Sequence, residues 1–443
     1  MRSIALSIVA MVALSSYTVA GGDIAPIVVV EKPEVDYGKF SGQLRAFYID
    51  RAYDGLLTTH RDALAFGGWI GYDTAEWNGL SMGVKFYATE GVKIKDDKDP
   101  SLYGDNFSNY GFIGEAYLNY KLANTTIKIG RQKLDTPLAG ADDARMLPNL
   151  FEAVVVKNTD IEDTTLLLAH VTREAVGTFG NVYNLKDASN QSLALQSGYG
   201  LGFKLGTNGN FTTMGEIALG AGTDTAGVSA GAIIYKGIDG VTLQLWDYYA
   251  HDILNAIYAQ ADLSWNCLLN DDIKMKASAQ YINQTEVGSK LAGVVDSNYW
   301  GLKLGAGYGN ISTSVAYSQT ADSTGSQNGG ILTPWGGMPA FTQGMVTRHQ
   351  FFADTTATKV ALTYNMQDLT GLNLNATGYY VSFDVGAKNS YVTGTAWTAT
   401  EAGFDIKYQA TKALNLRFRG NFPTDFKKGL DWAEYRLIAN YNF

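Results

Sequence analysis

Basic side chains recur at alternate positions in several segments of this 443-residue chain. Lys274 and Lys276 are two residues apart, and so are Arg417 and Arg419. In an extended strand this spacing places both cations on one face. A guanidinium binds a carboxylate through two parallel hydrogen bonds, so neighbouring cations could pass a carboxylate from one to the next. The first chemistry that the sequence indicates is therefore non-covalent recognition of anions.

The segments around these cations alternate between apolar and polar residues. Between Trp300 and Tyr308 one face carries Trp, Leu, Leu, Ala and Tyr, while the other carries Gly, Lys, Gly and Gly. Residues 273–281, 359–366 and 414–419 repeat this period of two, which is typical of strands with one apolar and one polar face. The alternation recurs from about residue 40 to the last residue, so we predict an all-β protein.

Further features separate a membrane barrel from a soluble β-sandwich. Several apolar faces end in an aromatic residue, which fits a membrane interface. The eight prolines are expected outside the strands, since a closed barrel has no edge that tolerates a missing N–H. Residues 1–20 have the pattern of a signal peptide, with an apolar run after Arg2 and Ala20 at the cleavage site. We therefore predict an exported Gram-negative outer-membrane protein with residues 21–443 as a single β-barrel domain.

The connections are predicted to alternate between short periplasmic turns and long extracellular loops. Short turns are expected at 75–79, 123–124 and 162–163, and longer loops at 52–62, 91–110, 136–150 and 322–358. Counting segments gives a transmembrane antiparallel β-barrel of about 18 strands. The count is 20 if Gly198–Gly206 and Thr213–Gly220, within region 189–227, are strands rather than one loop. The last strand ends in Phe443, which the assembly machinery of the outer membrane reads.

Strand parity assigns charges to the interior of such a barrel. If the apolar face meets lipid, an excess of cations faces the lumen and raises the local concentration of anions. The alternative is that these cations only keep the lumen hydrated. Two residues do not fit this parity: the charged Arg131 is placed on the lipid face, and the apolar Ile438 is placed on the lumen face. The inward basic residues are Arg45, Lys85, Lys128, Lys274, Lys276, Lys303, Lys359, Lys407, Arg417, Arg419 and Arg436, and the inward acidic ones are Glu115, Asp262, Asp405 and Glu434.

One stretch is more specific than any periodicity. Gly130-Arg131-Gln132 ends a predicted strand and is followed by Pro137-Leu138, an Asp-x-Arg element at Asp143–Arg145, and Leu147-Pro148. This arrangement resembles a segment of the OprD family of specific outer-membrane porins. Leu44-Arg45-Ala46-Phe47-Tyr48 is similar to the family's first strand. The resemblance continues in weaker form over most of the mature chain.

The resemblance implies an 18-stranded, non-enzymatic channel for passive diffusion of small hydrophilic solutes, with carboxylate-bearing nutrients as the expected class. It implies that residues 136–150 fold into the pore, where Asp142, Asp143 and Arg145 would line a constriction. It also implies a basic ladder along the lumen; the tract 322–350 has no counterpart in it. The ladder residues would be Arg45, Lys274, Lys276, Lys303, Lys359, Lys407, Arg417, Arg419 and Arg436.

Two other classes stay open on the sequence alone, an outer-membrane barrel enzyme and a surface adhesin with a narrow or plugged lumen. An enzyme of this kind would need a nucleophile beside a histidine, and His60, His170, His251 and His349 are widely separated without metal-ligand spacing. A net charge of −9 disfavours nucleic acid. We expect no cofactor or metal. The expected partners are outer-membrane lipid, lipopolysaccharide and small solutes, with a homotrimer as one option for assembly.

Overall fold

The alternating segments form eighteen long antiparallel strands in the part of the chain that the computed structural model describes, which is residues 37–92, 99–184, 208–322, 329–389, 391–392 and 394–443. In chain order they are β1 Gly38–Gly55, β2 Thr59–Thr74, β3 Leu80–Val92, β4 Tyr110–Leu122, β5 Thr125–Gln132, β6 Leu150–Asn158, β7 Thr164–Ala175, β8 Val228–Ile238, β9 Val241–Ala250, β10 Leu254–Cys267, β11 Asn270–Glu286, β12 Asp296–Tyr308, β13 Ile311–Thr320, β14 Thr355–Asn365, β15 Leu374–Val385, β16 Trp397–Gln409, β17 Leu414–Thr424 and β18 Leu430–Asn442. A two-residue extension, Thr212–Thr213, pairs with the end of β7.

Each strand pairs with its neighbours in the chain, and β18 pairs with β1, so the sheet closes into a barrel. Phe443 and Gly42 exchange two backbone hydrogen bonds of 3.0 Å, and the rings of Phe443 and Phe40 are 6.0 Å apart. The predicted closure of the last strand against the first is therefore confirmed. Closure leaves no unpaired strand edge, as a bilayer requires.

The outer surface of the barrel is apolar. Leu44, Phe66, Leu302, Leu362 and Leu437 are about half exposed, each with the parity predicted to face lipid. A continuous apolar surface of this kind is stable against acyl chains rather than water. The barrel is thus that of a bacterial outer-membrane protein, with its long connections at one end, here called the outer rim, and its short turns at the periplasmic end.

The described helices are short. They are α1 Met214–Leu219, α2 Gln367–Thr370 and single 3-10 segments at Pro100–Leu102, Asp105–Phe107, Thr178–Asn184 and His349–Phe351. No helix in the described residues is long and apolar enough to cross a membrane.

Three local expectations differ from the structure. Residues 214–219 form α1 rather than a strand, because the Thr213 hydroxyl caps the helix by accepting from Glu216 N; Gly198–Gly206 lies outside the described residues.

The predicted loop 52–62 is wrong over most of its length, because β1 and β2 stay paired up to Tyr53 and Thr59. Pro423 lies inside β17, beyond Asn421, the last residue that pairs with β18. At that position a missing N–H removes no bond to β18.

Candidate functional site in the barrel lumen

Two loops enter the barrel and contact each other there. The β5–β6 loop (residues 133–149) and the β13–β14 loop (described at residues 321–322 and 329–354) meet where Gly140 N donates to Trp335 O at 3.2 Å. Gly337 N donates to Asp142 Oδ1 at 3.3 Å, and Trp335 Nε1 donates to Met214 O of α1 at 2.9 Å. The tract for which the sequence suggested no role therefore lies in the lumen beside the predicted constriction.

One side of the lumen is filled by an apolar cluster, here called the packed side. Leu138, Met214 and Trp335 of the connecting segments are at most 3% exposed and lie against inward side chains of β6–β12. Strands β6 and β7 are apolar on both faces, as Ala153–Val156 and Leu166–Ala169 show, so they contact lipid outside and loops inside. The inward contacts of the strands include Phe151, Val171, Trp246, Tyr248, Tyr258 and Tyr299.

The opposite side of the lumen, formed by β14–β18 and β1, carries charged side chains and is here called the charged side. A space of about 320 Å³ lies between this wall and the two loops. Its described lining includes four cations and no carboxylate. The lining residues are Lys359, Arg419 and Arg436 of the wall, with Ala144, Ala340, Gln343, Gly344, Met345 and Arg348 of the loops.

Two of these cations are held by neutral acceptors. Lys359 Nζ donates to Gln343 O at 2.6 Å, and Arg419 Nε donates to Met345 Sδ at 3.1 Å. Because neither acceptor carries a charge, the positive charge of each side chain is not cancelled at that contact. Arg436, by contrast, is 1% exposed and forms an ion pair with Glu434. Of the three wall cations, Lys359 and Arg419 therefore contribute most of the net charge that faces the space.

Arg417 differs from Arg419 although it is two residues away on β17. Its guanidinium forms a bidentate ion pair with Asp405 of β16, with Nε donating to Oδ1 at 2.7 Å. Lys407 Nζ lies 3.8 Å from the same carboxylate. Asp405 thus offsets much of the charge of two predicted ladder residues.

The predicted cations of β11 and β12 are not among the residues that line this space. Lys274, Lys276 and Lys303 are exposed. Lys274 Nζ donates to Asn266 Oδ1 at 2.7 Å, and Lys303 Nζ lies 6.0 Å from the centre of the Phe341 ring. The structure therefore places Lys359, Arg419 and Arg436 at the space. Lys303 lies in the same cross-strand row as Lys359, two strands away through Ala316, without lining the space.

Arg45 holds the β5–β6 loop against the wall. Its Nη1 is 2.6 Å from Asp143 Oδ1 and 3.3 Å from Met146 O, and its Nε donates to Asn440 Oδ1 at 2.8 Å. Burial alone would raise the pKa of Asp143, but the Arg45 guanidinium holds the pKa of that carboxyl below its usual value. Arg45 is 8% exposed, so its main contacts are with the loop.

Arg145 is also buried rather than presented to the space. It is 6% exposed, its Nε donates to Ser101 Oγ at 3.2 Å, and its Nη2 is 3.9 Å from Glu434 Oε1. Glu434 also accepts from Arg51 Nε at 2.5 Å. Asp142 has a left-handed backbone, with φ of 42°, and its carboxylate accepts from Gly337 N. Arg145 and Asp142, two of the three predicted constriction residues, therefore bind other parts of the protein.

Sequence reasoning missed two residues that position this site. Arg51 joins Glu434 to Asp99, whose Oδ2 is 2.7 Å from Arg51 Nη1. Glu401 is fully buried and accepts from the backbone N–H groups of Met345 at 2.7 Å and Thr347 at 2.6 Å. The period of two could have identified both, because Arg51 shares the parity of Arg45 and Glu401 that of Asp405. No sequence pattern shows which loop each one holds.

Two of the four histidines come together in the fold. Ser229 Oγ lies 3.0 Å from His170 Nδ1 and from His251 Nε2, on the lipid-facing surface near the outer rim. Within the described ranges neither imidazole is hydrogen-bonded to a carboxylate, and no group of three metal-binding side chains is found there. His349 is fully buried beside Phe426, and burial lowers its pKa to about 4.

Comparison with known proteins gives a family and several similar folds. The model of the outer membrane porin, OprD family, matches residues 35–443. Pseudomonas aeruginosa OccK9 (OpdG) is similar in structure, with a TM-score of 0.72 and 18% identity over 92% of this chain and 98% of that chain. P. aeruginosa OpdK with vanillate has a TM-score of 0.70 at 16% identity, with the same coverage. P. aeruginosa OccK2 (OpdF) in complex with glucuronate has a TM-score of 0.68 at 16% identity, again with that coverage. No curated protein matches the chain.

Proposed function

Because the chain belongs to the OprD family of outer-membrane porins, we propose that its lumen passes small hydrophilic solutes bearing a carboxylate by passive diffusion. The observation that carries this proposal is the space on the charged side, which has four cations and no carboxylate in its described lining. A site of this composition attracts anions, and the low dielectric constant of the surrounding protein strengthens that attraction.

The geometry supports a passage with two chemically different walls. Arg419 and Arg348 can each form two parallel hydrogen bonds with a carboxylate, whereas Lys359 acts as a compact positive charge. Ala340 and Met345 line the same space and suit the non-polar part of a solute. OpdK with vanillate and OccK2 (OpdF) with glucuronate, two similar folds, were solved with carboxylate compounds, which favours the same solute class here.

The proposed ladder is shorter than strand parity alone predicts. Arg419, Arg436 and Lys359 line its narrow part. Lys274, Lys276 and Lys303 are exposed on β11 and β12, which are separated from β14 by at most two strands, and would act by raising the concentration of anions in the lumen. Asp142, Asp143, Arg145 and Arg45 would set the position of the β5–β6 loop. In this role they shape the constriction instead of contacting the solute.

The test is ion selectivity in planar bilayers under a salt gradient. Wild type should prefer anions, and Arg419→Ala with Lys359→Ala should reduce that preference by at least half. Lys428→Ala, at an exposed cation in the outer turn between β17 and β18, is the matched control and should change nothing. Uptake of benzoate relative to benzamide into proteoliposomes should fall in parallel. An unchanged reversal potential and benzoate uptake in the double variant would refute the charged passage.

A second experiment tests the narrowing by the β5–β6 loop. Deletion of residues 140–144 removes the hydrogen bonds of Gly140 and Asp142 to the β13–β14 loop and should raise single-channel conductance. An unchanged conductance would show that this loop does not limit the passage. Absence of any channel in wild-type protein that retains heat-modifiable gel mobility would favour the plugged-barrel alternative.

A further inference from the structure

Three charged residues form a row across the outside of the barrel. Arg131 on β5 is directly opposite Glu152 on β6, which is directly opposite Arg173 on β7. All three lie close to the outer ends of their strands. Ile129 and Val154, two residues away on β5 and β6, are 49% and 40% exposed on the lipid-facing surface. The row therefore lies at the level where the bilayer meets the extracellular water.

The charges in this row are incompletely paired. Arg131 Nε is 3.8 Å from Glu152 Oε2, which is too long for a hydrogen bond, and its guanidinium lies 4.4 Å from the centre of the Phe211 ring. Arg173 is exposed and makes no hydrogen bond or ion pair with the residues that the structure describes. Arg131 also donates to Ile113 O at 3.4 Å, a neutral acceptor. The row thus holds two guanidinium groups and one carboxylate at a membrane surface, where a cation without a charged partner is stabilised by an anionic lipid headgroup.

The outer rim of β1 and β2 has the opposite charge. Asp50 and Asp54 share the parity of Leu44, which is 56% exposed towards lipid. Asp50 Oδ2 lies 2.8 Å from His60 Nε2. Anionic headgroups should be repelled there and attracted to the β5–β7 rim. The difference in charge between the two parts of the rim gives the outer surface a preferred side for an anionic lipid.

We propose that Arg131 and Arg173 bind a phosphate group on an anionic lipid headgroup of the outer leaflet. The two residues are separated by one strand, about 10 Å between their Cα atoms, so both side chains can converge on one phosphate. Each guanidinium presents parallel N–H donors that match phosphate oxygens. The Phe211 ring lies over the Arg131 guanidinium and limits its orientation. The parity exception at Arg131 thereby gains a binding role that is separate from the channel.

The experiment is native mass spectrometry of the detergent-purified protein with lipid A, which carries two phosphates, and with chemically dephosphorylated lipid A. We expect wild type to bind the phosphorylated lipid at least tenfold more tightly than the dephosphorylated one. Arg131→Gln with Arg173→Gln should abolish this ratio, and Arg173→Gln alone should reduce it about threefold. Lys428→Gln, which removes an exposed cation elsewhere on the outer end, is the matched control and should keep the ratio.

Three outcomes would overturn the proposal. The first is equal binding of both lipids by wild type, and the second is an unchanged ratio in the double variant. The third is loss of lipid binding in 10 mM inorganic phosphate, which would assign the site to a free anion instead of a lipid. Retained heat-modifiable mobility shows that a variant is folded. If the double variant fails to fold, Arg173→Gln and Arg131→Lys separately decide the question.

Discussion

The packed side and the charged side of the lumen are both built from antiparallel strands, but they differ in access to water and in the contacts that they make with the loops. On the packed side, inward aromatic and aliphatic residues of β6–β12 lie against Leu138, Met214 and Trp335, and water is excluded. On the charged side, Arg419 and Lys359 border an open space of about 320 Å³. The open space therefore lies against β14–β18 and not at the packed side.

Because of this difference, we expect the packed side to determine how firmly the loops are held and the charged side to determine the ion selectivity of the channel. Apolar burial is non-directional and large, so the packed side can hold both loops without using charged groups. The charged side holds its loops by individual polar contacts, such as those of Glu401 with Met345 and Thr347. Substitutions on the packed side should therefore move loops. On the charged side, substitution of the loop-holding Glu401 should loosen the β13–β14 loop, whereas substitution of the cations or their ion-pair partners should change which ions pass. Four predictions test that division, in decreasing order of expected effect.

Trp335→Ala should have the largest effect, because it removes a side chain that is 3% exposed at the contact between the two loops and α1. Loss of a buried Trp costs roughly 3–5 kcal/mol, which should detach the β13–β14 loop and raise conductance severalfold. Hydrogen exchange in residues 329–350 should accelerate. Trp77→Ala, at a tryptophan that is 73% exposed in the β2–β3 turn, is the control and should leave both measurements unchanged.

Glu401→Ala should have the next largest effect, on the charged side. It removes the acceptor for the N–H groups of Met345 and Thr347, and hydrogen bonds to a charged group contribute about 1.5–3 kcal/mol each. The residues that line the space should then move, and single-channel recordings should show larger, fluctuating conductance. Asp384→Ala, at an exposed carboxylate on β15, should not reproduce the effect. If the Glu401 variant instead showed the same steady conductance as wild type, the contacts on the packed side would be sufficient to hold the loop.

The effect of pH on the β13–β14 loop should come through His349. Burial lowers the pKa of this imidazole from 6.5 to about 4. Between these values the unfolded chain binds the proton and the folded protein does not, so stability falls as pH falls from about 6.5 to about 4. The total loss is about 3 kcal/mol. Hydrogen exchange in residues 345–354 should accelerate over this range in wild type. A similar acceleration in His349→Gln would assign the pH dependence to other groups.

Asp405→Asn should give the smallest effect and the most direct test of charge pairing. It leaves Arg417 without its bidentate carboxylate partner and Lys407 without its nearest anion. Anion preference should therefore increase, measured as a shift of a few millivolts in reversal potential in the direction opposite to that of Arg419→Ala. No shift, or a shift towards cations, would show that Arg417 stays outside the conducting path. Asp384→Asn, at an exposed carboxylate on β15, serves as the control.

The sequence by itself determined the barrel. A period of two over the whole chain, with apolar faces that suit lipid, excludes most folds other than a membrane β-barrel. The contact of Phe443 with the first strand follows from its position at the end of the last strand. The segment around Gly130–Pro148 identified the family, which the match over residues 35–443 supports. Local signals of this kind depend on neighbours in the chain, so they can be recognised without the tertiary structure.

Only the tertiary structure decided which cations face the open space. Arg417 and Arg419 have the same type, parity and strand, but Asp405 lies beside one of them and Met345 beside the other. Those partners come from β16 and from the β13–β14 loop. Parity fixes the side of the sheet on which a residue lies, whereas its effective charge depends on groups that are distant in the chain and close in space, because electrostatic interactions depend on distance and burial.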